Sequence, residues 1–164
     1  MSNPRDLFLQ LLAEALWIER ILAFEVLPQL QQEADSEWLA EPFAEHLEET
    51  RAHAARVEEV FLQLGAEPTS AISTPLEGLR RQHDDNVEKL VEPRLRDIFL
   101  AGAAAKTEHL ELALYESLIQ LAPALAVDGG ELDVGPLEQN RREEAHALEA
   151  VEQAAAKLRE RLPA

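Results

Sequence analysis

The amino-acid sequence predicts an all-α protein built as an antiparallel four-helix bundle with a short crossover helix. Ala, Leu and Glu dominate its 164 residues and only six are glycine, a composition that favours helix over strand. Proline and glycine fall mostly between apolar stretches, which they divide into four long segments and one short one. In the long segments apolar residues recur at steps of three and four, the spacing of a buried helix face. Two helical hairpins joined by the short helix make such a bundle.

Length, charge and cysteine content exclude several classes of function. A chain of 164 residues can bury one core, so residues 1–164 are expected to form a single domain. The net charge of −17 repels nucleic-acid phosphates and anionic lipids, and no apolar stretch approaches the roughly 20 residues that span a membrane. The N-terminus lacks the basic and apolar regions of a signal peptide, so we expect a cytoplasmic protein. Because cysteine is absent, any metal must be held by oxygen and imidazole ligands.

The first predicted helix covers residues 4–31, with Asn3 or Ser2 as its cap and Pro4 in its first turn. One glutamate interrupts its apolar seam, which consists of Phe8, Leu12, Ala15, Glu19, Leu22 and Val26. An ionised glutamate buried in a seam costs several kcal/mol unless it is protonated, paired or bound to a cation. The alternative is that Glu19 lies at the edge of the seam and reaches solvent.

The second predicted helix covers residues 41–64, with Pro42 at its start and Gly65 at its end. Three polar residues follow one flank of this helix: His46, Glu49 and His53. A lone histidine is more often a surface residue than a ligand, but this cluster includes a carboxylate and can converge on one ion. Which of the two histidines is the ligand remains open at this point.

The predicted crossover helix covers residues 75–91, and Thr74-Pro75-Leu76-Glu77 forms a capping box at its start. Its histidine is followed by two aspartates, and no apolar residue recurs on that side. We therefore expect His83, Asp84 and Asp85 to be solvated.

The third long helix is predicted over residues 94–122. Its seam also contains a glutamate: Ile98, Ala101, Ala105, Glu108, Leu112, Tyr115, Ile119 and Ala122. Glu111 lies three residues beyond Glu108 and hence on nearly the same face. Tyr115 fits either a core position or a hydrogen-bond donor beside the glutamates.

A break around Pro123, Asp128-Gly129-Gly130 and Gly135-Pro136 precedes the last predicted helix, residues 136–161. On it Glu143 and His146 are three residues apart and share a face. This spacing alone is weak, because a chain so rich in glutamate contains about one Glu-x-x-His by chance. Glu144 competes with Glu143, since it falls in the apolar stripe of the helix.

These residues form a pattern that occurs twice. In each half of the chain, a helix with a seam glutamate precedes a helix with a glutamate and a nearby histidine. A dinuclear Fe or Mn site in a bundle needs this set of ligands. The candidate metal ligands are Glu19, Glu49, His53, Glu108, Glu143 and His146, with Glu111 as a further one. One position deviates, because three residues after Glu49 stands Ala52, and His53 lies about 100° further round the helix.

The sequence also resembles the YciF-type ferritin-like stress proteins, which are relatives of rubrerythrins and bacterioferritins. The resemblance covers most of the chain, and it rests on Glu45-His46-Leu47-Glu48-Glu49-Thr50 with His53, Arg56 and Phe61, on Leu76-Glu77-Gly78-Leu79, and on Thr107-Glu108-His109-Leu110-Glu111 with Tyr115. The last helix departs from that family and is closer to the Glu-x-x-His of bacterioferritins, which leaves the choice between Glu143 and Glu144 open.

The resemblance implies a ferritin-like fold, a dinuclear metal site, a bacterial origin, a homodimer and a role in stress. If the protein is an enzyme, the ligands suit a di-iron or di-manganese oxidoreductase of the ferroxidase or peroxidase kind, acting on O2 or peroxide. Surplus apolar positions such as Leu9, Trp38 and Leu39 also favour a dimer.

A different class of function is a metal-free bundle that serves as an interaction or scaffold protein in the stress response. Its buried glutamates would need protons or basic partners. The basic residues nearest the cluster in sequence are Arg20, Arg51, Arg56, Lys106, Arg141 and Arg142.

Overall fold

The computed structural model describes residues 3–125 and 130–160. Six α-helices lie within these ranges: α1 (Pro4–Ile21), α2 (Leu27–Glu33), α3 (Glu37–Gln63), α4 (Thr74–Val87), α5 (Pro93–Leu121) and α6 (Gly135–Arg159). A π-helical segment, Leu22–Val26, joins α1 to α2, and a 3-10 turn, Ala122–Ala124, follows α5. The predicted all-α class is confirmed.

The long helices form the predicted ferritin-like bundle. The rod made of α1, the π segment and α2 packs against α3, and α5 packs against α6 as the second hairpin. The two hairpins meet where α1 contacts α5 and where α3 contacts α6. The crossover helix α4 lies against α5. Large side chains with less than 2% exposure fill the space between these helices, among them Phe8, Leu12, Leu16, Phe43, Phe61, Leu100, Tyr115 and Leu118.

The first helical rod begins as predicted and ends slightly later. Asn3 caps it by accepting a hydrogen bond of 2.8 Å from the backbone N–H of Asp6, with Pro4 in the first turn. The rod passes Pro28 through the π segment, in which Leu27 N–H donates to the carbonyl of Leu22, five residues back. A wider turn suits this place because proline has no N–H to donate to the residue four positions earlier.

Helix α3 begins at Glu37, four residues before the predicted start at residue 41. Its N-cap is Ser36, whose hydroxyl accepts a hydrogen bond of 3.3 Å from the backbone N–H of Trp38. The carboxylate of Asp97, on α5, accepts hydrogen bonds of 2.9 Å from the backbone N–H groups of Asp35 and Ser36. Asp97 is 2% exposed, so a buried side chain from the second hairpin holds the turn that precedes this helix of the first hairpin. Pro42 is accommodated inside the helix.

The crossover helix differs from the prediction in its cap and in its histidine. Ser73, not Thr74, is the N-cap, and the helix ends at Val87 rather than near residue 91. His83 is only 7% exposed, with Nε2 at 2.8 Å from Glu33 Oε2 and its ring 5.9 Å from that of Phe99. The prediction that His83 is solvated is therefore wrong, because α4 folds it against α2 and α5; the two aspartates that follow it are exposed.

The remaining predictions concern the last helix and its preceding loop, the surplus apolar residues and membrane spans. Asp128, Gly129 and the predicted end of the last helix at residue 161 lie outside the described residues. Leu39 is fully buried within the chain, so it is not a surplus apolar position, whereas Leu9 and Trp38 are partly exposed. None of the helices in the described ranges is long and apolar enough to cross a membrane.

Candidate metal centre

Six buried polar side chains meet between the four long helices. Each has a relative exposure of 4% or less: Glu19 on α1, His46 and His53 on α3, Glu108 and Glu111 on α5, and Glu144 on α6. Four of the seven residues proposed as ligands from the sequence are among them, namely Glu19, His53, Glu108 and Glu111. The two remaining members of the cluster, His46 and Glu144, were the alternatives that the sequence left open.

The first group of possible ligands consists of His46, Glu108, Glu111 and Glu144. Each offers one ligand atom, and these atoms all lie within 4.8 Å of one another. His46 Nε2 is 3.3 Å from Glu144 Oε2 and 3.5 Å from Glu108 Oε2. Ligand atoms stand about 2 Å from the ion they bind, so the four side chains can share one cation after small adjustments.

The second group consists of Glu19, His53 and Glu144, whose ligand atoms again lie within 4.8 Å of one another. His53 Nδ1 is 2.7 Å from Glu144 Oε1 and 3.3 Å from Glu19 Oε2. Glu144 therefore belongs to both groups and presents one oxygen to each histidine. The imidazole rings of His46 and His53 stand edge to face with their centroids 6.1 Å apart.

Spacing along the helices explains why these residues converge. His46 and His53 are seven residues apart, which is two helical turns, and so they project from one face of α3. Glu144 likewise lies seven residues from both Leu137 and Val151, which are buried in the core. This heptad relation was the signal in the sequence that favoured Glu144 over Glu143.

The remaining predicted ligands lie at or beyond the edge of the cluster. The Glu49 side chain is 35% exposed and contacts His46 Nδ1 at 3.5 Å. The Glu143 side chain is 23% exposed and contacts His53 Nε2 at 2.8 Å. His146 is exposed on α6, because it follows the inward Glu144 by two residues and so lies about 200° further round the helix.

The buried glutamates have lone pairs that no hydrogen-bond donor satisfies. Neither oxygen of Glu111 has a hydrogen-bond partner in the part of the chain that the structure describes, and Glu108 Oε2 also lacks one. Buried polar atoms are nearly always partnered, so such oxygens need an explanation. Oxygen and imidazole donors are the set that Fe(II) and Mn(II) accept, and the residues present therefore fit a metal centre.

In the described part of the chain, the arginine and lysine side chains nearest to the cluster in sequence do not donate to these unpartnered oxygens. Arg20 pairs with Glu58 and Arg51 with Glu48 on the outer faces of the bundle. Lys106 donates to Gln82, and Arg141 and Arg142 are exposed. Arg56 comes nearest to the cluster, but it pairs with the half-buried Glu143.

Burial and the contacts within the cluster shift the pKa values of its carboxyl and imidazole groups. Burial raises the pKa of Glu19, Glu108 and Glu111 above the ordinary carboxyl value. Burial alone would lower the pKa of His53, but its contacts with Glu144 and Glu19 outweigh burial and raise the pKa to about 10. Burial also opposes ionisation of Glu144, yet its two histidine neighbours lower its pKa. Binding of a metal ion to these residues would therefore displace protons and depend on pH.

A hydrogen-bond network holds the second group in place. The Tyr115 hydroxyl donates to Glu19 Oε1 and accepts a hydrogen bond of 2.8 Å from Asn140 Nδ2. Asn140 Oδ1 accepts from Arg56 Nη1 at 2.9 Å, and the same nitrogen donates to Glu143 at 2.6 Å. Sequence reasoning missed Asn140, although it lies four residues before Glu144 and hence on nearly the same face.

Residues 3–162 match the sequence profile of a family described as a domain of unknown function, DUF892. The chain belongs to the DUF892 family. Its sequence is also similar to protein YciF of Escherichia coli strain K12, with 31% identity over 129 residues that cover 76% of this DUF892 chain and 75% of YciF. The predicted YciF-type family is thereby confirmed.

Two solved structures share the fold of this DUF892 protein. The crystal structure of the E. coli stress protein YciF superposes with a TM-score of 0.89 and 26% identity, over 99% of this chain and all of that one (100%). YcfI from Rhodopseudomonas palustris gives a TM-score of 0.74 at 24% identity, over 99% of this chain and 96% of that one. At that identity the second likeness concerns the fold alone.

Proposed function

We propose that this DUF892-family protein is a bacterial stress-response protein with a dinuclear, carboxylate-bridged centre for Fe or Mn that acts on O2 or peroxide. The observation that carries the proposal is the position of Glu144. It is fully buried and shared by two groups of potential ligands, each of which includes a histidine. A buried carboxylate with one oxygen directed to each of two ligand groups is the arrangement of a bridging ligand.

The two groups of ligand atoms suggest which residues would hold each ion. His46, Glu108 and Glu111 would hold one ion, Glu19 and His53 the other, and Glu144 would contact both. Four carboxylates carry a charge of −4, which two divalent ions neutralise, so metal would remove the cost of burying these charges. Glu49, Glu143 and His146, proposed as ligands from the sequence, are not assigned to either ion.

When bound, Fe or Mn supplies redox chemistry with O2 or peroxide. The protein supplies orientation and a dry environment. Tyr115 fixes the carboxylate of Glu19, Glu143 orients the ring of His53, and Asn140 connects these two supports through Arg56. Hydrogen bonds of this kind to ligand side chains tune affinity and ligand basicity.

Three finer proposals accompany this function. The similarity to the E. coli stress protein YciF supports a role in stress. Large apolar side chains on the surface, among them Phe24 at 77% and Val91 at 88% exposure, support a homodimer that covers part of them. We also propose that the protein acts in the cytoplasm.

Metal loading tests the proposal. Protein loaded anaerobically with Fe(II) should hold about two ions per chain, measured by metal analysis after desalting. Glu108→Ala should lose most of this binding, because it removes an oxygen ligand and a charge from the cluster. Glu77→Ala is the control, since Glu77 lies on the crossover helix and pairs with Arg80 outside the cluster. Its Fe(II) content should equal that of the wild type.

The metal-free scaffold is the competing function, and the same variants distinguish it. The raised pKa values of Glu19, Glu108 and Glu111 favour it, because protonated glutamates need no cation. If the wild type binds neither Fe(II) nor Mn(II), and Glu108→Ala is neutral or stabilising, the carboxylates form a polar core and the scaffold function replaces our proposal.

A further inference from the structure

Two partly exposed carboxylates, Glu49 and Glu143, flank the buried cluster, and each lies against one of its histidines. Glu49 Oε2 is 3.5 Å from His46 Nδ1, while Glu143 Oε2 is 2.8 Å from His53 Nε2. Each imidazole therefore stands between an outer carboxylate and the inner ones. The two sides differ in what else holds the outer carboxylate.

Glu143 is fixed by several donors. Besides His53, Arg56 Nη1 donates to it at 2.6 Å and Gln139 Nε2 at 2.9 Å. The guanidinium offsets its charge, and the three donors occupy both of its oxygens. A carboxylate so engaged orients His53 but is poorly placed to receive a hydrated cation.

Glu49 has no such restraint. Among the described residues its only polar side-chain contact is with His46, and its side chain is 35% exposed. The other nitrogen of His46 faces Glu144 and Glu108. A continuous line of ligand atoms thus leads from solvent at Glu49, past an imidazole, to the unpartnered oxygens of Glu108 and Glu111.

We propose that Glu49 is the entrance ligand through which a divalent cation reaches the buried centre by way of His46; this inference rests on the proposed function. The charge of −17 concentrates cations around the whole protein but selects no point of entry. A hard cation loses its waters reluctantly, and an exposed carboxylate next to a buried imidazole replaces them stepwise.

The test is the rate of metal uptake, with Co(II) as the probe because its visible absorption reports binding to the protein without any turnover. Glu49→Gln should slow the association of Co(II) in stopped-flow mixing by roughly tenfold, the lower end of electrostatic effects on association. Its final stoichiometry should equal that of the wild type. The control is Glu45→Gln, which removes the same charge from an exposed position one turn away on α3 and should load at nearly the wild-type rate.

Each outcome decides between the possibilities. Equal loading rates for Glu49→Gln and wild type, or equal slowing by Glu45→Gln, would overturn the entrance role while leaving the metal centre intact. A lower final Co(II) content in Glu49→Gln, at an unchanged association rate, would make Glu49 a permanent ligand instead. Failure of the wild type to bind Co(II), Fe(II) or Mn(II) would overturn the proposed function together with this inference. Circular dichroism and Tm should show that Glu49→Gln leaves the fold unchanged, because this side chain is partly exposed.

Discussion

Replacement of Glu144 by glutamine should strongly destabilise the metal-free protein. This carboxylate is fully buried and lies 2.7 Å from His53 and 3.3 Å from His46. Glutamine has almost the same shape, so packing is retained while the negative charge is lost. The two histidines, whose pKa values are raised in the folded protein, would then lose their shared buried anion.

The size of the expected loss in the free energy of unfolding follows from the contacts of His53. Its pKa rises from 6.5 to about 10, and a difference of about 3.5 at roughly 1.4 kcal/mol per pH unit corresponds to about 5 kcal/mol well below pH 6.5, of which about 4 kcal/mol remains at pH 7. Glu19 also contacts this imidazole and retains part of that interaction. Loss of Glu144 also relieves repulsion toward Glu108 and Glu111. We therefore expect a loss of about 3 to 4 kcal/mol at pH 7, within the range for breaking a buried ion pair.

Urea unfolding of the metal-free proteins in EDTA at pH 7 measures this loss as a lower midpoint with an unchanged slope. Glu149→Gln is the matched control, because it removes an exposed carboxylate from the same helix and should change the free energy of unfolding by less than about 0.5 kcal/mol. A loss below about 1 kcal/mol for Glu144→Gln would refute the argument, since it would mean that the histidines do not depend on this charge.

Two further predictions concern pH and the start of α3. The metal-free protein should lose stability from pH 6 to pH 10. A histidine whose pKa is raised in the folded state stabilises the fold at pH values below its unfolded pKa, and for His53 this stabilisation is lost between pH 6.5 and about pH 10. The raised pKa values of the buried glutamates lower stability with rising pH in the same way above pH 4.5. Thermal unfolding in EDTA measures it, and a Tm that is constant or rises with pH over this range contradicts it. Asp97→Asn should cost about 1 to 2 kcal/mol in urea unfolding, because an amide offers one acceptor oxygen to two backbone N–H groups. The exposed Asp84→Asn is its control, and equal effects of the two substitutions would show that Asp97 does not anchor α3.

Properties that depend on one helix at a time were determined by the sequence. The glutamates in the apolar seams, Glu19 and Glu108, are buried as their spacing indicates, and Glu111 shares the face of Glu108. The cap at Asn3 is also local, since donor and acceptor lie within one turn. These features follow from 100° of rotation per residue and from the chemistry of helix ends, which are the same in any fold.

Only the tertiary structure decided which neighbouring side chains face inward. Glu143 and Glu144 are one residue apart, or about 100° of rotation, and the sequence supported both of them: Glu144 falls in the apolar stripe of α6, whereas Glu143 shares a face with His146. Packing against α3 and α5 sets how far α6 is turned about its axis, and it buries Glu144 completely while Glu143 remains at the edge. The same packing exposes His146.

Contacts between distant parts of the chain were likewise decided by packing. Asp97 holds the turn before α3 from more than 60 residues away in the sequence, and Glu33 contacts a histidine that its local sequence marks as solvated. Composition and periodicity carry information about which residues share a face, not about which faces meet. A carboxylate that holds the turn before another helix, or one that pairs with a histidine of the crossover helix, can be identified only when those faces are in contact.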